Sequence, residues 1–348
     1  MRILKLLLIA LLFLQGSICA QNSWAPDKPG KWRYETNLPE VGYKLRNSQL
    51  TKTESVEFKK NVAAVAEWFR QNHPMLTEPK GYDLRALSNY TWSDYSKISE
   101  GEYGIPAGMS FIFELFYRDG KKWKVEPPQY GFYINNIAGG HFGGYFTPDT
   151  YTEESGRYNK SQSNQVEKTR DKLTQYFFTL PLLEQPVPGV NIYGNFKEER
   201  VMIAVFNPER PPFWLPVTVK ELADASLEYY TLFQNIEIDR MVLSELKKEI
   251  AAYSPEELAA PAFMGHESNI ALRVNGKGNG YQIMRFNPEY WDKSLPRSAI
   301  QFMGFWDGRL SDEEMEESLK RRGYPEYPQM FVNKINWNGV ANIIMKGK

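Results

Sequence analysis

The chain is short of the residues that most enzyme chemistry draws on. Its 348 residues hold one cysteine, Cys19, and three histidines, His73, His141 and His266. A single thiol excludes an internal disulfide, a Cys-rich metal centre and a thiol pair. The histidines are scattered: His266-Glu267 opens like a zinc-protease helix, but Ile270 stands where the second histidine belongs. No metal and no cofactor is expected. Charge of one sign is lacking too, with 42 basic and 42 acidic residues. Nucleic-acid binding needs concentrated positive charge against phosphates, so none is expected. After the first twenty residues no apolar run approaches the roughly 20 residues that span a bilayer.

Those first twenty residues carry Arg2 and Lys5, an apolar core from Leu6 to Leu14, and Ala20 before Gln21. This is the pattern of a signal peptide cleaved near Ala20, and the product is expected to be secreted or periplasmic. A lipoprotein reading fits poorly, because Gly16-Ser17-Ile18 is a weak approach to Cys19. With Cys19 removed, the mature chain is free of cysteine. Losing Arg2 and Lys5 leaves 40 bases against 42 acids, a net charge of about −2.

What is present is a regular alternation of strand and helix signals, which reads as an α+β fold in two domains, each a mainly antiparallel sheet with helices packed on it. Residues 21–50, with Pro26, Pro29 and Pro39, read as an extended arm. Residues 51–150 form the first domain. Thr51 and Glu54 make a capping box. The stripe Val56, Val62, Val65, Phe69 then reads as an amphipathic helix ending at His73-Pro74. Strands are expected over Gly81–Leu87, Met109–Tyr117, Lys121–Val125 and Gln129–Ile137, with a hairpin at Asp119-Gly120. Helix-then-strands is the order of cystatin-like folds, an architectural analogy that carries no function.

Residues 151–189 read as a linker, polar at first, with a short helix from Gln165 to Phe178 and the linker-like Pro186-Val187-Pro188-Gly189. The second domain, 190–348, pairs Val190–Phe196 with Val201–Phe206. Thr218 and Glu221 then cap a long apolar stripe reaching Tyr253, over 218–253. That helix is either continuous or split near Asn235–Arg240, where poor helix formers cluster. Caps at Ser254 and Ser311 start further helices. Strands are expected over Ile270–Val274, Tyr281–Phe286, Ala299–Trp306, Met330–Ile335 and Val340–Met345.

One internal echo stands out. Phe206-Asn207-Pro208-Glu209, five residues, Leu215-Pro216 recurs eighty positions on as Phe286-Asn287-Pro288-Glu289, five residues, Leu295-Pro296. Each spacer holds adjacent aromatics, Phe213-Trp214 and Tyr290-Trp291. A shared strand-exit turn explains the motif economically. The sharper expectation is that both aromatic loops, or a cleft between the domains, grip a polypeptide or a glycan, with His141 in its run of four glycines as a further contact. An exported, non-catalytic binding protein is therefore the leading reading. The alternatives are a secreted hydrolase using a carboxylate pair and a structural component of the cell envelope.

Overall fold

A computed structural model describes residues 24–39, 44–45, 48–90, 104–123, 126–137, 175–195, 200–232, 237–265, 280–307 and 310–344. The expected leader, His141 and its glycines, the polar stretch 151–165, His266 and the expected strand 270–274 lie outside the described residues. The chain runs through β1 (Trp32–Thr36), β2 (Lys44–Leu45), β3 (Ser48–Gln49), α1 (Lys52–Asn72), α2 (Pro74–Thr77), β4 (Tyr82–Asn89), β5 (Ala107–Leu115) and β6 (Gln129–Ile134). It continues with β7 (Tyr176–Thr179), β8 (Leu182–Val187), β9 (Val190–Asn195), β10 (Arg200–Phe206), β11 (Trp214–Pro216), α3 (Val219–Leu232), α4 (Glu237–Ala252), α5 (Pro255–Ala259) and β12 (Phe263–Gly265). Then come β13 (Gly280–Phe286), a 3-10 turn at Pro288–Tyr290, β14 (Phe302–Asp307), α6 (Asp312–Arg322), α7 (Tyr327–Asn333) and α8 (Trp337–Ala341).

The fold is α+β. An eight-stranded sheet in the order β1-β4-β5-β6-β14-β10-β9-β8 is antiparallel except where β1 runs parallel to β4. Because β6 pairs with β14, strands from both halves of the chain share this sheet. In the smaller sheet, β13 has β7 along one side and β11 and β12 end to end along the other. One face of the large sheet packs its Leu84, Phe111, Phe132, Ile203 and Phe305 against α1, α2, α7 and α8. On the opposite face, Met202, Ala204 and Phe302 meet Phe177, Trp214 and Phe286 of the smaller sheet. The far side of the smaller sheet, with Tyr176 and Ile283, is covered by α3 and α4. The order is helix, sheet, sheet, helix.

Local caps behave as the sequence suggests. Thr51 Oγ1 accepts from Glu54 N at 3.2 Å, and Glu54 Oε2 accepts from Thr51 N at 2.9 Å. The reciprocal boxes at Ser254 and Ser311 are also formed. α6 ends on Gly323, whose φ of 76° lies in the left-handed region that glycine enters without steric cost. The stripe of α1 is Ser55, Phe58, Val62, Val65, Ala66 and Phe69, whereas Val56 is exposed. Val56 sits one residue off the 3-4 spacing that faces the sheet.

Of the two readings of the stripe over 218–253 the split one holds: it belongs to two helices, α3 and α4, which pack on each other with Tyr229, Tyr230, Leu243 and Leu246 in one buried cluster. Other expectations are corrected. Pro186–Gly189 is no linker: Leu182–Val187 forms edge strand β8, and Gly189, at φ 82°, makes the hairpin turn into β9. Tyr176–Thr179 is strand, so the helix expected up to Phe178 does not reach it. The second arm of the Asp119-Gly120 hairpin, described as far as Trp123, pairs through the Phe116–Lys122 bridge, with Tyr117 N donating to Lys121 O and Trp123 N to Leu115 O at 2.9 and 2.8 Å. The last two expected strands are the helices α7 and α8. Tyr327, Phe331 and Ile335 recur every four residues and are buried together, a helical period that outweighs the local strand propensity. Asn336 caps α8 by accepting from Gly339 N at 3.1 Å.

Candidate functional site

The two echoed corners do not form a binding surface. Phe213, Trp214, Tyr290 and Trp291 are each 5% exposed or less and belong to the core between the sheets. The shared turn is real: Asn207 Oδ1 accepts from Glu209 N at 3.0 Å, and Asn287 Oδ1 accepts from Glu289 N at 3.2 Å. What the repeat could not reveal is that the corners dock on each other. Arg210, from the first corner, donates to the carbonyl oxygens of Glu289, Tyr290 and Trp291 at 3.0, 2.9 and 2.9 Å. Asn287, from the second, donates to Pro212 O at 2.6 Å. The Tyr290 hydroxyl donates to Gln301 O and accepts from Asn207 N, and full burial pushes its pKa up. These aromatics join the sheets, and the same burial removes them from a ligand's reach.

Next to this junction, Asn135 sits at φ 51° just past β6 and is buried. Its Nδ2 donates to Ala299 O and Ile105 O at 2.7 and 3.2 Å, and its Oδ1 accepts from Gln301 N and Phe302 N at 2.8 and 3.3 Å. One side chain therefore satisfies four backbone groups, in the segment leading into β5 and in the segment entering β14. Arg297, from the same second segment, reaches α1: its Nε and Nη2 donate to the two oxygens of Glu54 at 2.7 and 2.8 Å. Hydrogen bonding to Arg297 lowers the Glu54 pKa to about 2.

The open surface lies elsewhere. The smaller sheet covers β14, β10 and β9, while the same face over β1, β4, β5 and β6 carries mostly polar and small residues, with Leu87, Tyr133 and the buried Ile112 among them. Strand alternation places Leu84 and Ala86 in the core, so Asp83 and Arg85 point to the other side. Cross-strand register then sets Arg33 beside Arg85 and Asp83 beside Glu114. Arg33 bridges Glu114 Oε1 at 2.5 Å and Glu35 Oε1 at 3.1 Å. Arg85 lies 3.3 Å from Glu35 Oε2 and 3.6 Å from Glu114 Oε1. Asp83 accepts from Lys31 N at 2.7 Å on one oxygen and pairs with Lys122 on the other. Beyond this ladder and Ile112, which lies opposite Arg85, Gly108, Ser110 and Gly131 make a floor of small residues between Leu87 and Tyr133. A Cβ placed on Gly131 would meet only Ser110 Oγ at 3.5 Å and Met109 O at 3.7 Å. Reasoning from the sequence singles out none of these residues, although it carries their signals. Asp83 and Arg85 alternate with apolar residues, and Glu114 interrupts an apolar run, Phe111-Ile112-Phe113-Glu114-Leu115.

Three other polar groupings read as structural. Arg285 Nε pairs with Glu221 Oε1 at 2.9 Å, and the Tyr176 hydroxyl donates to the same oxygen at 3.2 Å. Thr218 still caps Glu221 N at 3.1 Å, but the glutamate side chain serves this triad. Along α6 an open cleft of about 630 Å³ is lined by Leu310, Ser318, Arg321, Arg322 and Glu326, among others. Within it Arg322 pairs with Glu326 at 2.9 Å, and Ser318 donates to the same oxygen. His73 is buried and stacks on Phe331 with centroids 4.3 Å apart. Its Nδ1 accepts from Met75 N at 3.3 Å, so Nε2 carries the proton donated to Phe331 O at 2.9 Å, and burial lowers its pKa to about 4.

Among the described residues no helix is long and apolar enough to cross a membrane, and no group of three or more His, Cys, Asp or Glu side chains could hold a metal ion. Comparison of the chain with protein-family models, with curated proteins and with solved structures returns no match.

Proposed function

We propose that the protein is an exported, non-catalytic binding protein whose ligand, a polypeptide or a glycan, lies across the outer face of β4, β5 and β6. The observation that carries this reading is the floor at Gly131, with its charged ladder on one side and the smaller sheet beyond β14 on the other. Glycine inside a strand weakens it, and one of the reasons it is kept there is close approach by a ligand or another backbone. Export rests on the leader pattern over residues 1–20. N-terminal sequencing of the exported protein should begin near Gln21.

The test is to screen the protein against glycan and peptide arrays and repeat the screen with Gly131→Trp. The indole has room above the floor, so the melting temperature should stay within a few degrees while hits weaken at least tenfold. Hits that survive Gly131→Trp unchanged would remove this face from consideration. The hydrolase reading would use Asp83 and Glu114, opposed across β4 and β5. It is supported less well, because Asp83 has both oxygens occupied in anchoring Lys31 and Lys122. Release of new reducing ends from a bound glycan, abolished by Glu114→Gln, would favour it.

A further inference from the structure

The ladder beside the floor contains an unmatched donor and an unmatched acceptor. The ion pairs of Arg33 and Arg85 converge on Glu114 Oε1 and on the two oxygens of Glu35. Glu114 Oε2 is buried with no hydrogen-bond partner among the described residues, on a residue only 5% exposed. Arg85 Nε is likewise buried without a hydrogen-bond partner among them; its 3.6 Å separation from Oε1 is an ion-pair distance, too long for a hydrogen bond. A buried acceptor in that state is costly, and one kept in a native fold calls for a partner beyond the chain's own groups, a water, an ion or a ligand.

Resting on the sheet-face reading above, we propose that the ligand is a neutral glycan, one hydroxyl of which accepts from Arg85 Nε and donates to Glu114 Oε2. A hydroxyl oxygen gives and takes a hydrogen bond at one point, which matches a donor and an acceptor on the same side-chain pair. A backbone peptide unit directs its N–H and C=O away from each other and cannot turn both to that spot; only a Ser, Thr or Tyr side chain of a peptide offers the same group, whereas every ring of a glycan does. The charge balance selects a neutral partner. Arg33 and Arg85 are opposed by Glu35 and Glu114, so the ladder offers no net attraction to an acidic or a basic ligand. Access is from the side of Arg33, whose side chain is 46% exposed against 27% for Arg85; because both target atoms are buried, binding requires Arg33 to move aside. Gly131 lies two strand spacings across from Leu87, and Arg85 is two residues further along β4, about 12 Å in all, so a sugar ring on the floor and a further ring at the ladder belong to one oligosaccharide.

Calorimetric titration with maltohexaose, cellohexaose, xylohexaose and mannohexaose tests this, with hexagalacturonate and a Ser/Thr-rich hexapeptide as comparators. At least one neutral hexasaccharide should bind. Glu114→Gln and Arg85→Lys should each weaken it at least tenfold, and Glu35→Gln less than threefold. Among monodeoxy analogues of the bound sugar, one should lose tenfold against the natural protein and nothing further against Glu114→Gln. Because Arg85→Lys keeps the charge, it reports on the hydroxyl contact even if Glu114→Gln folds poorly. Failure of all four neutral sugars, preference for hexagalacturonate, or sugar affinity indifferent to both variants would overturn the proposal. Peptide binding abolished by Gly131→Trp would overturn the glycan and leave the sheet face standing; sugar binding indifferent to Gly131→Trp would remove the sheet face itself.

Discussion

Asn135 offers the most decisive test of how the two segments beside β6 are held. Replacing it with alanine strands two buried amides, Gln301 N and Phe302 N, and two carbonyls, Ile105 O and Ala299 O. Leaving a buried polar group unsatisfied costs about 1–3 kcal/mol. The 2.7 and 2.8 Å bonds weigh fully and the 3.2 and 3.3 Å bonds less, which puts the loss at about 4 kcal/mol. Alanine also has to hold φ at 51°, where its Cβ adds about 1 kcal/mol. Asn135→Gly loses the same hydrogen bonds without that steric cost. The expected order of stability is therefore asparagine, then glycine, then alanine, with about 1 kcal/mol between the variants. Urea unfolding followed by tryptophan fluorescence measures this as a shift in midpoint at unchanged slope. A loss below about 1 kcal/mol for alanine, or glycine falling below alanine, would refute the account.

Two further predictions concern pH. Glu54 has a folded pKa lowered to about 2 by its hydrogen bonds to Arg297, so its contribution is present above about pH 4.5 and is lost as pH falls through 2. Glu54→Gln should cost about 2 kcal/mol at neutral pH, allowing for solvent screening of a pair a quarter exposed, and the gap to the natural protein should close by about pH 2; a pH-independent gap would count against the ion pair. His73 must stay neutral to accept from Met75 N, and burial holds its pKa near 4. Stability should therefore be complete above about pH 6.5 and fall by up to about 3 kcal/mol as pH drops to 4, and the ring signal in NMR should titrate near 4. A midpoint near 6.5 would place the ring in solvent.

Elements decided by a few neighbouring residues are legible in the sequence itself. The boxes at Thr51, Ser254 and Ser311, the αL stop at Gly323 and the Asx turns at Asn207 and Asn287 each close their hydrogen bonds within four residues. The α+β class follows from the same local periods. By contrast, the fate of an aromatic pair depends on what comes to lie over it. Phe213-Trp214 and Tyr290-Trp291 are sealed because Arg210 and Asn287 bind corners eighty residues apart to one another between two sheets. Apolar area is buried just as favourably against a core as against a ligand, so composition alone cannot separate the two. The same holds for α7, where four-residue spacing became decisive once Phe331 had Phe69 and Phe111 to pack on. The meeting of Arg33, Arg85 and Glu114 also needed tertiary structure: strand register across three segments brings these residues together, and that register is set by the core on the opposite face.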